Sequence, residues 1–390
     1  MLKEFDLSIL TEPLLEWYEK NKRMLPWRES VSPYRVWVSE IMLQQTRVEA
    51  VKPFFERFTN RLPDIRALAE CPEDELLKLW EGLGYYNRVR NMQKAAIQVM
   101  EEYGGILPAE YEALLQLKGI GSYTAGAIAS IAYQKPVPAV DGNVLRILTR
   151  AAADDTDIMK ASFRKQVEVQ LTEYMQSEEF AGKSPADFNQ ALMELGATVC
   201  IPNGVPDCQK CPWKEICQAR EKNCILELPV KAKAKQRRIE KRTVFVIRDG
   251  ERVAICKRPK KGLLAGLYEL PNVEGHLSQE EALLYVKEQS LSPIRIQKLP
   301  EAKHIFSHVE WQMQGYAVLI EEPEQMQPFL YVEAVTSEQK YAIPAAFSAY
   351  AKFMGIKIGQ ERFLEDYSSH VSQNGVGENG NFRDVVFRKS

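Results

Sequence analysis

The chain has 390 residues, of which 45% are hydrophobic and 27% charged, and its formal net charge is −2. This length allows two domains with separate cores, and the near-neutral charge excludes a uniformly basic nucleic-acid-binding surface, so any DNA contact must use local basic patches and backbone donors. No apolar run is long enough to span a bilayer and no stretch has the basic start and apolar middle of a secretory leader, so we expect a cytoplasmic monomer without membrane contacts.

The first helices place one glutamate among apolar neighbours. Residues Glu12 to Lys22 predict an amphipathic helix, and Ser32-Pro33 is typical of a helix start, with a capping hydroxyl followed by proline. In the helix that follows, the residues three and four positions from Glu40 are Val36, Trp37, Leu43 and Gln44. A carboxyl on this mostly apolar face is desolvated, which raises its pKa as a general acid at neutral pH requires. A buried glutamate paired with an arginine fits the same pattern.

An aromatic loop then separates two predicted helices, Cys71 to Trp80 and Arg88 to Tyr103. The loop reads Gly82-Leu83-Gly84-Tyr85-Tyr86-Asn87, and such a loop could insert a ring into a base stack, although tyrosines more often pack against a core. Helices joined by short turns continue to about Val199. No alternating strand pattern precedes residue 240.

A Gly-x-Gly turn at residues 117–126 joins two short predicted helices. Gly119 and Gly121 are expected to adopt positive φ, leaving main-chain N–H groups free to hold a phosphate. Twenty residues after the second glycine, Asp141 precedes a helix predicted from Asn143 to Ala152. The ordinary interpretations are a tight turn and a helix cap.

Four cysteines lie close together in a loop at residues 200–217. Cys200 is followed by Cys208 after seven residues, by Cys211 in a C-x-x-C pair, and by Cys217. Four thiolates at this spacing can surround one metal centre, either zinc or a [4Fe–4S] cluster, and the spacing does not separate the two.

The pattern changes after a basic stretch. Residues 229–242 predict a linker that is either merely solvated or in contact with a phosphate backbone. Beyond it, period-two alternation predicts a hairpin around Asp249-Gly250 and strands near 303–308, 312–320 and 327–332, with helices at 279–289 and 344–353. We therefore predict a mainly α domain (1–228), the linker, an α+β domain (243–355) and a disordered tail (356–390).

Taken together and in this order, the motifs resemble the helix-hairpin-helix DNA glycosylases, and most of all the adenine DNA glycosylase (MutY) family. The resemblance is strong over residues 20–230 and looser over 243–355. It implies that adenine opposite 8-oxoguanine in double-stranded DNA is flipped out and removed by cleavage of its N-glycosidic bond. By this resemblance Glu40 protonates adenine and then activates water, and Asp141 stabilises the sugar cation. Asn143 and Tyr123 would orient these two carboxyls.

The resemblance also carries binding residues. Trp27 and Arg28 match positions near the adenine pocket, with Gln190 on its other side, whereas Gln45, Thr46 and Tyr85 match positions that probe the opposite strand. In the family the four cysteines hold a [4Fe–4S] cluster, although the first gap here is one residue longer than the family pattern. Ile201 to Asp207 contains turn-forming residues that could absorb the addition.

The second domain resembles the Nudix fold that these glycosylases use to recognise 8-oxoguanine. Residues 262–271 match its entry loop, and Phe306, Ser307 and His308 match the loop that contacts the damaged base. Residues 279–283 lack the acidic pattern of a Nudix hydrolase, so we expect recognition without hydrolysis, although Ser307 also fits an ordinary loop.

Two rival interpretations remain open. One is a pyrimidine glycosylase resembling endonuclease III. Those enzymes, which also cut the strand, carry a lysine at the position of Tyr123, and a phenol cannot form their Schiff base. The other rival is a damage sensor without catalysis, which would have no need of both Glu40 and Asp141.

Overall fold

The computed structural model describes residues 5–232, 236–322, 328–356 and 358. The chain divides into two compact units, Met1–Glu70 with Arg90–Ala234, and Cys71–Val89 with Lys235–Ser390. The expected disordered tail at 356–390 lies outside the described residues, apart from Ile356 and Ile358. Residues 233–235 of the expected linker also lie outside them.

Within the described ranges, every regular element before residue 238 is helical, as the sequence predicts. None of these helices is long and apolar enough to cross a bilayer. The helices are α1 (Ser8–Asn21), α2 (Pro26–Glu29), α3 (Pro33–Leu43), α4 (Val48–Arg61), α5 (Ile65–Glu70), α6 (Glu73–Leu79), α7 (Asn87–Glu102), α8 (Tyr111–Leu115), α9 (Ser122–Ala127), α10 (Gly142–Ala151), α11 (Ala161–Met175), α12 (Pro185–Thr198) and α13 (Gln218–Glu221), with a π-helical turn at Ile128–Ala132.

Helix α10 lies at the centre of the first unit. All its residues from Val144 to Ala151 are buried, and it packs against α12. Leu145 and Leu148 belong to the same apolar core as Phe188 and Leu192 of α12. A helix that is buried all round must find partners for its polar side chains inside the protein. This requirement places Asp141, Arg146 and Arg150 in internal hydrogen-bond networks.

The second unit contains a mixed sheet. Its strand order is β3-β2-β1-β6-β5, with β4 paired to β1 and β7 to β2. The strands are β1 (Arg238–Arg248), β2 (Arg252–Lys257), β3 (Tyr268–Glu269), β4 (Asn272–Glu274), β5 (Pro293–Ile305), β6 (Val309–Ile320) and β7 (Leu330–Glu333), and the helices are α14 (Gln279–Glu288), α15 (Ala334–Lys340) and α16 (Ser348–Met354). The predicted hairpin is confirmed, since β1 and β2 pair antiparallel around Asp249-Gly250.

Both faces of this sheet are covered. Val244 and Val246 of β1 contribute to one core, with Trp311 and Tyr350, whereas Phe245 and Ile247 contribute to the other. This alternation is the period-two pattern that the sequence shows after residue 243.

Two strands begin earlier than the sequence predicts. Strand β1 begins at Arg238, so the last part of the expected linker is already paired, in parallel, with β6. Strand β5 begins at Pro293 rather than near Lys303. Most residues in these early portions are exposed, and β5 lies at one end of the strand order. Exposed positions carry charged side chains, so the alternation of apolar and polar residues that identifies a strand is hidden there.

Candidate active site

Glu40 lies on the buried face of α3. Ser32 caps this helix by accepting a hydrogen bond from the Arg35 N–H at 3.2 Å, and Pro33 occupies its first turn. The Glu40 residue is only 5% exposed, so its predicted burial is confirmed. Its Oε2 accepts a hydrogen bond from the Tyr123 O–H of α9 at 2.5 Å. The partner of the buried carboxyl is thus a tyrosine rather than the arginine of the alternative interpretation.

The surroundings of Glu40 favour its neutral form. Burial raises the pKa of the carboxyl from 4.5 to about 7, the Tyr123 hydrogen bond opposes this shift, and the nearby charge of Asp141 adds to it. Arg28 lowers the Glu40 pKa slightly. Burial, reinforced by the charges of Glu40 and Asp141, also raises the pKa of Tyr123 well above 10, so its phenol remains a neutral donor. Near pH 7, Glu40 is therefore able both to give and to take a proton.

Asp141 is the N-cap of α10, and it faces three donors. Its Oδ1 accepts hydrogen bonds from the backbone N–H groups of Asn143 and Val144, both at 2.8 Å, and its Oδ2 accepts one from Asn143 Nδ2 at 2.7 Å. Burial raises the pKa of Asp141 overall, while these hydrogen bonds and the charge of Arg146 act to lower it. All three partners donate, which is the arrangement that a carboxylate rather than a carboxylic acid requires.

Arg146 connects this cap to the cysteine loop. Its Nη2 donates to Asn143 Oδ1 at 2.9 Å and to the Gly196 carbonyl at 2.7 Å, and its Nε donates to the Cys200 carbonyl at 2.9 Å. The residue is 3% exposed, and sequence reasoning missed it. The available signal was its position three residues after Asn143 on the same face of a predicted helix.

Arg28 contacts both Gln190 and a buried glutamate, Glu194. Arg28 donates from Nε to Gln190 Oε1 at 3.0 Å and from Nη2 to Glu194 Oε2 at 2.8 Å. Burial acts to raise the pKa of Glu194, but the hydrogen bonds and charges of Arg23 and Arg28 outweigh it and lower the pKa. Glu194 was also missed, although it follows Gln190 by four residues on an apolar helix, the same signal that identified Glu40. Trp27 is buried and packs edge-on against Phe55 at 5.4 Å.

The two glycines of the hairpin have different backbone conformations. Gly119 has φ +79°, and a Cβ there would lie 2.7 Å from the Cβ of Asn91, so only glycine fits. Gly121 has φ −99° and is the N-cap of α9, so the expectation of positive φ at this position is wrong. An extended residue is what the start of a helix requires. A Cβ on Gly121 would meet nothing within 4 Å, so the space above it is open.

Gln45 and Thr46 lie in the turn between α3 and α4. Gln45 is exposed and has φ +61°, a conformation uncommon for residues other than glycine. The Thr46 N–H donates to the Leu43 carbonyl at 3.3 Å. The turn therefore holds the Gln45 side chain at the surface in a left-handed conformation.

The four cysteines of the 200–217 loop line one apolar cavity, together with Arg150 and Trp213. Arg150 Nη1 lies 3.3 Å from Cys200 Sγ, and the Cys217 thiol donates to the Arg150 carbonyl at 3.5 Å. Burial raises the pKa of the Cys211 thiol to about 12, and burial likewise raises the pKa values of Cys208 and Cys217. Ionising these buried thiols without a partner would be unfavourable, so the loop suits a bound metal centre whose positive charge stabilises the thiolates.

The longer first gap does not separate the cysteines. Residues 202–205 are exposed, and Gly204 turns the chain with φ +82°, so the extra length bulges into solvent while Cys208 stays at the cavity. Over the described parts of the chain, no three His, Cys, Asp or Glu side chains come close enough to hold one ion.

The second unit brings together Tyr85 and the predicted recognition loop. The Tyr85 hydroxyl lies 3.1 Å from Ser307 Oγ, and both side chains are exposed. Phe306 packs edge-on against the buried Trp311 at 5.0 Å, which fixes the base of the turn between β5 and β6. His308 is exposed, and its carbonyl accepts a hydrogen bond from the Arg238 N–H at 3.0 Å.

Comparison with known proteins identifies the two domains. The model of the HhH-GPD superfamily of base excision DNA repair proteins matches residues 38–173, and that of the NUDIX domain matches residues 243–352. The adenine DNA glycosylase of Mus musculus is 36% identical over 380 residues, covering 81% of this chain and 72% of its own length. That of Homo sapiens is 35% identical over 368 residues, covering 79% and 66%, and that of Schizosaccharomyces pombe 33% identical over 379 residues, covering 78% and 80%. With its helical domain followed by a NUDIX domain, this chain belongs to the adenine DNA glycosylase family.

Proposed function

We propose that this protein, acting as a cytoplasmic monomer, removes adenine paired with 8-oxoguanine or guanine in double-stranded DNA. The observation that carries this proposal is the buried group of Glu40, Tyr123 and Asp141, in which one carboxyl has its pKa raised to about 7. Adenine as the base is supported by membership of the adenine DNA glycosylase family. We assign the chemistry to the helical domain (1–228) and recognition of the opposite base to residues 243–355.

The first half of the reaction breaks the bond between sugar and base. The adenine must leave the duplex to reach side chains buried in a protein, so the nucleotide is flipped out. Neutral Glu40 donates its proton to adenine, and the electrons of the N-glycosidic bond depart with the base. The sugar is left as an oxocarbenium ion, and Glu40 as a carboxylate held by the Tyr123 O–H.

The second half consumes water. Asp141, whose three hydrogen-bond partners all donate and so favour its anionic form, stabilises the cationic sugar as the second carboxylate does in glycoside hydrolysis. The Glu40 carboxylate then takes a proton from water as the oxygen adds to the sugar carbon. Free adenine and an abasic site are the products, and Asn143 and Tyr123 hold the two carboxyls in place.

We propose that the enzyme does not cut the DNA strand. Strand cleavage by β-elimination in this superfamily needs an amine that forms a Schiff base, and a tyrosine at position 123 cannot form one. Nicking of the abasic product as fast as adenine release would show that another residue supplies the amine.

Further residues are assigned to binding. Trp27, Arg28 and Gln190 form the adenine pocket, since Arg28 and Gln190 are hydrogen-bonded to each other. The hairpin at Gly119 and Gly121 binds a phosphate through its backbone, for which the open space above Gly121 leaves room. Gln45 and Thr46 contact the opposite strand.

We assign the four cysteines to a [4Fe–4S] cluster. The four thiols line one apolar cavity beside Arg150, and membership of the adenine DNA glycosylase family supports a [4Fe–4S] cluster rather than zinc. When bound, the cluster would cross-link the loop at 200–217. Iron and sulfide analysis, with the absorbance spectrum of the purified protein, tests this assignment, and zinc without iron would refute it.

Recognition of 8-oxoguanine is assigned to Phe306, Ser307 and His308, with Tyr85. The exposed Ser307 hydroxyl can donate a hydrogen bond to an oxidised purine while it accepts one from the Tyr85 hydroxyl. Replacing Phe306 and Ser307 together by alanine should narrow the preference for 8-oxoguanine over guanine opposite adenine. Unchanged discrimination would remove this loop from recognition.

The proposed reaction is tested on a duplex containing one adenine opposite 8-oxoguanine. Treatment with alkali after incubation converts abasic sites into strand breaks, so the unaltered protein should give a cleaved product and Glu40→Gln should give none. No product from the unaltered protein would instead favour a sensor that binds damage without excising it.

A further inference from the structure

The segment Cys71–Val89 lies in the middle of the helical part of the sequence, yet by its contacts it belongs to the second unit. It contains α6 and the loop that presents Tyr85. Trp80, at the end of α6, is fully buried. The position of Tyr85 relative to the recognition loop therefore depends on how this short segment is attached within the second unit.

The attachment is a buried ion pair. Glu81 has a side chain only 2% exposed, and its Oε2 pairs with Lys78 Nζ at 2.5 Å. Its Oε1 accepts a hydrogen bond from the backbone N–H of Ile343 at 2.8 Å, and Lys78 Nζ also donates to the Tyr341 carbonyl at 2.8 Å. The pair thus binds the backbone at 341–343 from two directions.

The loop between this attachment and Tyr85 is braced internally. Gly82 and Gly84 both have positive φ, which turns the chain sharply. The Trp80 indole N–H donates to the Gly84 carbonyl at 3.1 Å, and Arg88 Nη2 donates to the carbonyls of Leu83 and Gly84 at 2.9 and 3.1 Å. A displacement of Glu81 would therefore carry Tyr85, four residues away, with it.

The other partner of the contact is equally well fixed. Ser307 lies at the tip of the β5–β6 turn, which is closed by a hydrogen bond from the Phe306 N–H to the Val309 carbonyl at 2.8 Å. Both hydroxyls of the Tyr85–Ser307 contact are thus carried by turns anchored to the same sheet-containing unit, and they lie 3.1 Å apart at the surface.

We propose that Glu81 and Lys78 are positioning residues that set the Tyr85–Ser307 contact, and through it the discrimination between 8-oxoguanine and guanine opposite adenine. Neither residue is assigned a contact with the DNA bases. The inference rests on the proposed function and adds two residues to its specificity. Exposed ion pairs in the same segment, such as Asp74 with Lys257 at 2.7 Å, do not have this role because solvent screens them.

The test compares excision of adenine opposite 8-oxoguanine and opposite guanine under single-turnover conditions. Glu81→Ala should reduce the ratio of the two rates about five-fold, the effect expected for the loss of one hydrogen bond such as that between Tyr85 and Ser307. The ratio should fall because the rate opposite 8-oxoguanine becomes slower. In the double variant with Ser307→Ala the ratio should fall no further than in Ser307→Ala alone, because both changes act on one contact. Glu81→Gln, which can still accept from the Ile343 N–H, should retain more of the ratio than Glu81→Ala.

Asp74→Ala is the matched control and should leave the ratio unchanged. If Glu81→Ala does not fold, the same two rates are measured for Lys78→Ala, whose ratio should be lower than that of the unaltered protein. An unchanged ratio in folded Glu81→Ala or folded Lys78→Ala would overturn the proposal. So would a double variant in which the losses from Glu81→Ala and Ser307→Ala add. Failure of the unaltered protein to release adenine would instead refute the proposed function, and equal rates opposite both bases would refute the assignment of 8-oxoguanine recognition to residues 243–355.

Discussion

Replacing Glu40 by glutamine should stabilise the protein at alkaline pH while abolishing excision. Glutamine has nearly the same shape, and its Oε1 can still accept the hydrogen bond that Tyr123 now donates at 2.5 Å. It cannot ionise, however, so the cost of burying a carboxylate disappears.

The size of this effect follows from the pKa. The difference between 4.5 and about 7 for Glu40 corresponds to about 3 kcal/mol. Because the folded protein binds this proton more tightly than the unfolded chain, the free energy of unfolding falls as pH rises from about 4.5 to about 7, and it remains low above that. Glu40→Gln escapes this loss, so its advantage should be small at about pH 5 and nearly complete at about pH 8.

Thermal unfolding at these two pH values measures the difference. An advantage of about 3 kcal/mol raises the midpoint by roughly 6–12 °C in a domain of this size. Glu16→Gln, which alters an exposed carboxyl on α1, is the control and should show no such pH dependence. A Glu40→Gln advantage that is equal at both pH values, or absent at alkaline pH, would refute the reasoning about burial.

Further outcomes are expected for the unaltered protein and for three variants. Excision by the unaltered protein should fall about ten-fold per pH unit above about 7, because Glu40 loses its proton. Tyr123→Phe should move this decline to higher pH, because the hydrogen bond that it removes lowers the Glu40 pKa. Excision rates measured from pH 6 to 9 test both predictions. Asp141→Asn keeps a capping side chain but removes a charge that raises the Glu40 pKa, so the decline in rate should move to lower pH. The maximal excision rate should also drop about 100-fold or more, because the charge that stabilises the sugar cation is lost, and single-turnover rates measure this drop. Cys211→Ser should abolish iron binding, which metal analysis of the purified variant would detect.

Local patterns in the sequence predicted those parts of the site that local physics determines. The apolar spacing around Glu40 indicated its burial, because residues three and four positions away on a helix surround a side chain whatever the rest of the fold does. At Asp141 the two interpretations coexist, since the carboxylate caps α10 and also affects the pKa of Glu40. The turn glycines were only half predicted, because Gly119 has the left-handed conformation and Gly121 does not.

What the sequence could not show depends on contacts distant along the chain. Glu81 pairs with a backbone N–H 262 residues away, and no spacing rule links the two. Glu194 likewise pairs with Arg28 and Arg23, which precede it in the chain by 166 and 171 residues. The early start of β1 was missed because its exposed residues are charged, and only the parallel pairing with β6 identifies them as a strand.

The hydrogen bonds of Arg146 have a consequence for oxidative damage. One guanidinium holds the carbonyl of Cys200 and the amide of Asn143, whose other end holds Asp141. We therefore expect oxidation of the thiol loop to slow the proposed reaction, because a shift in the backbone at Cys200 is passed to Asp141 through the side chains of Arg146 and Asn143. The activity that we propose would then be sensitive to the oxidation state of a loop that takes no part in the chemistry.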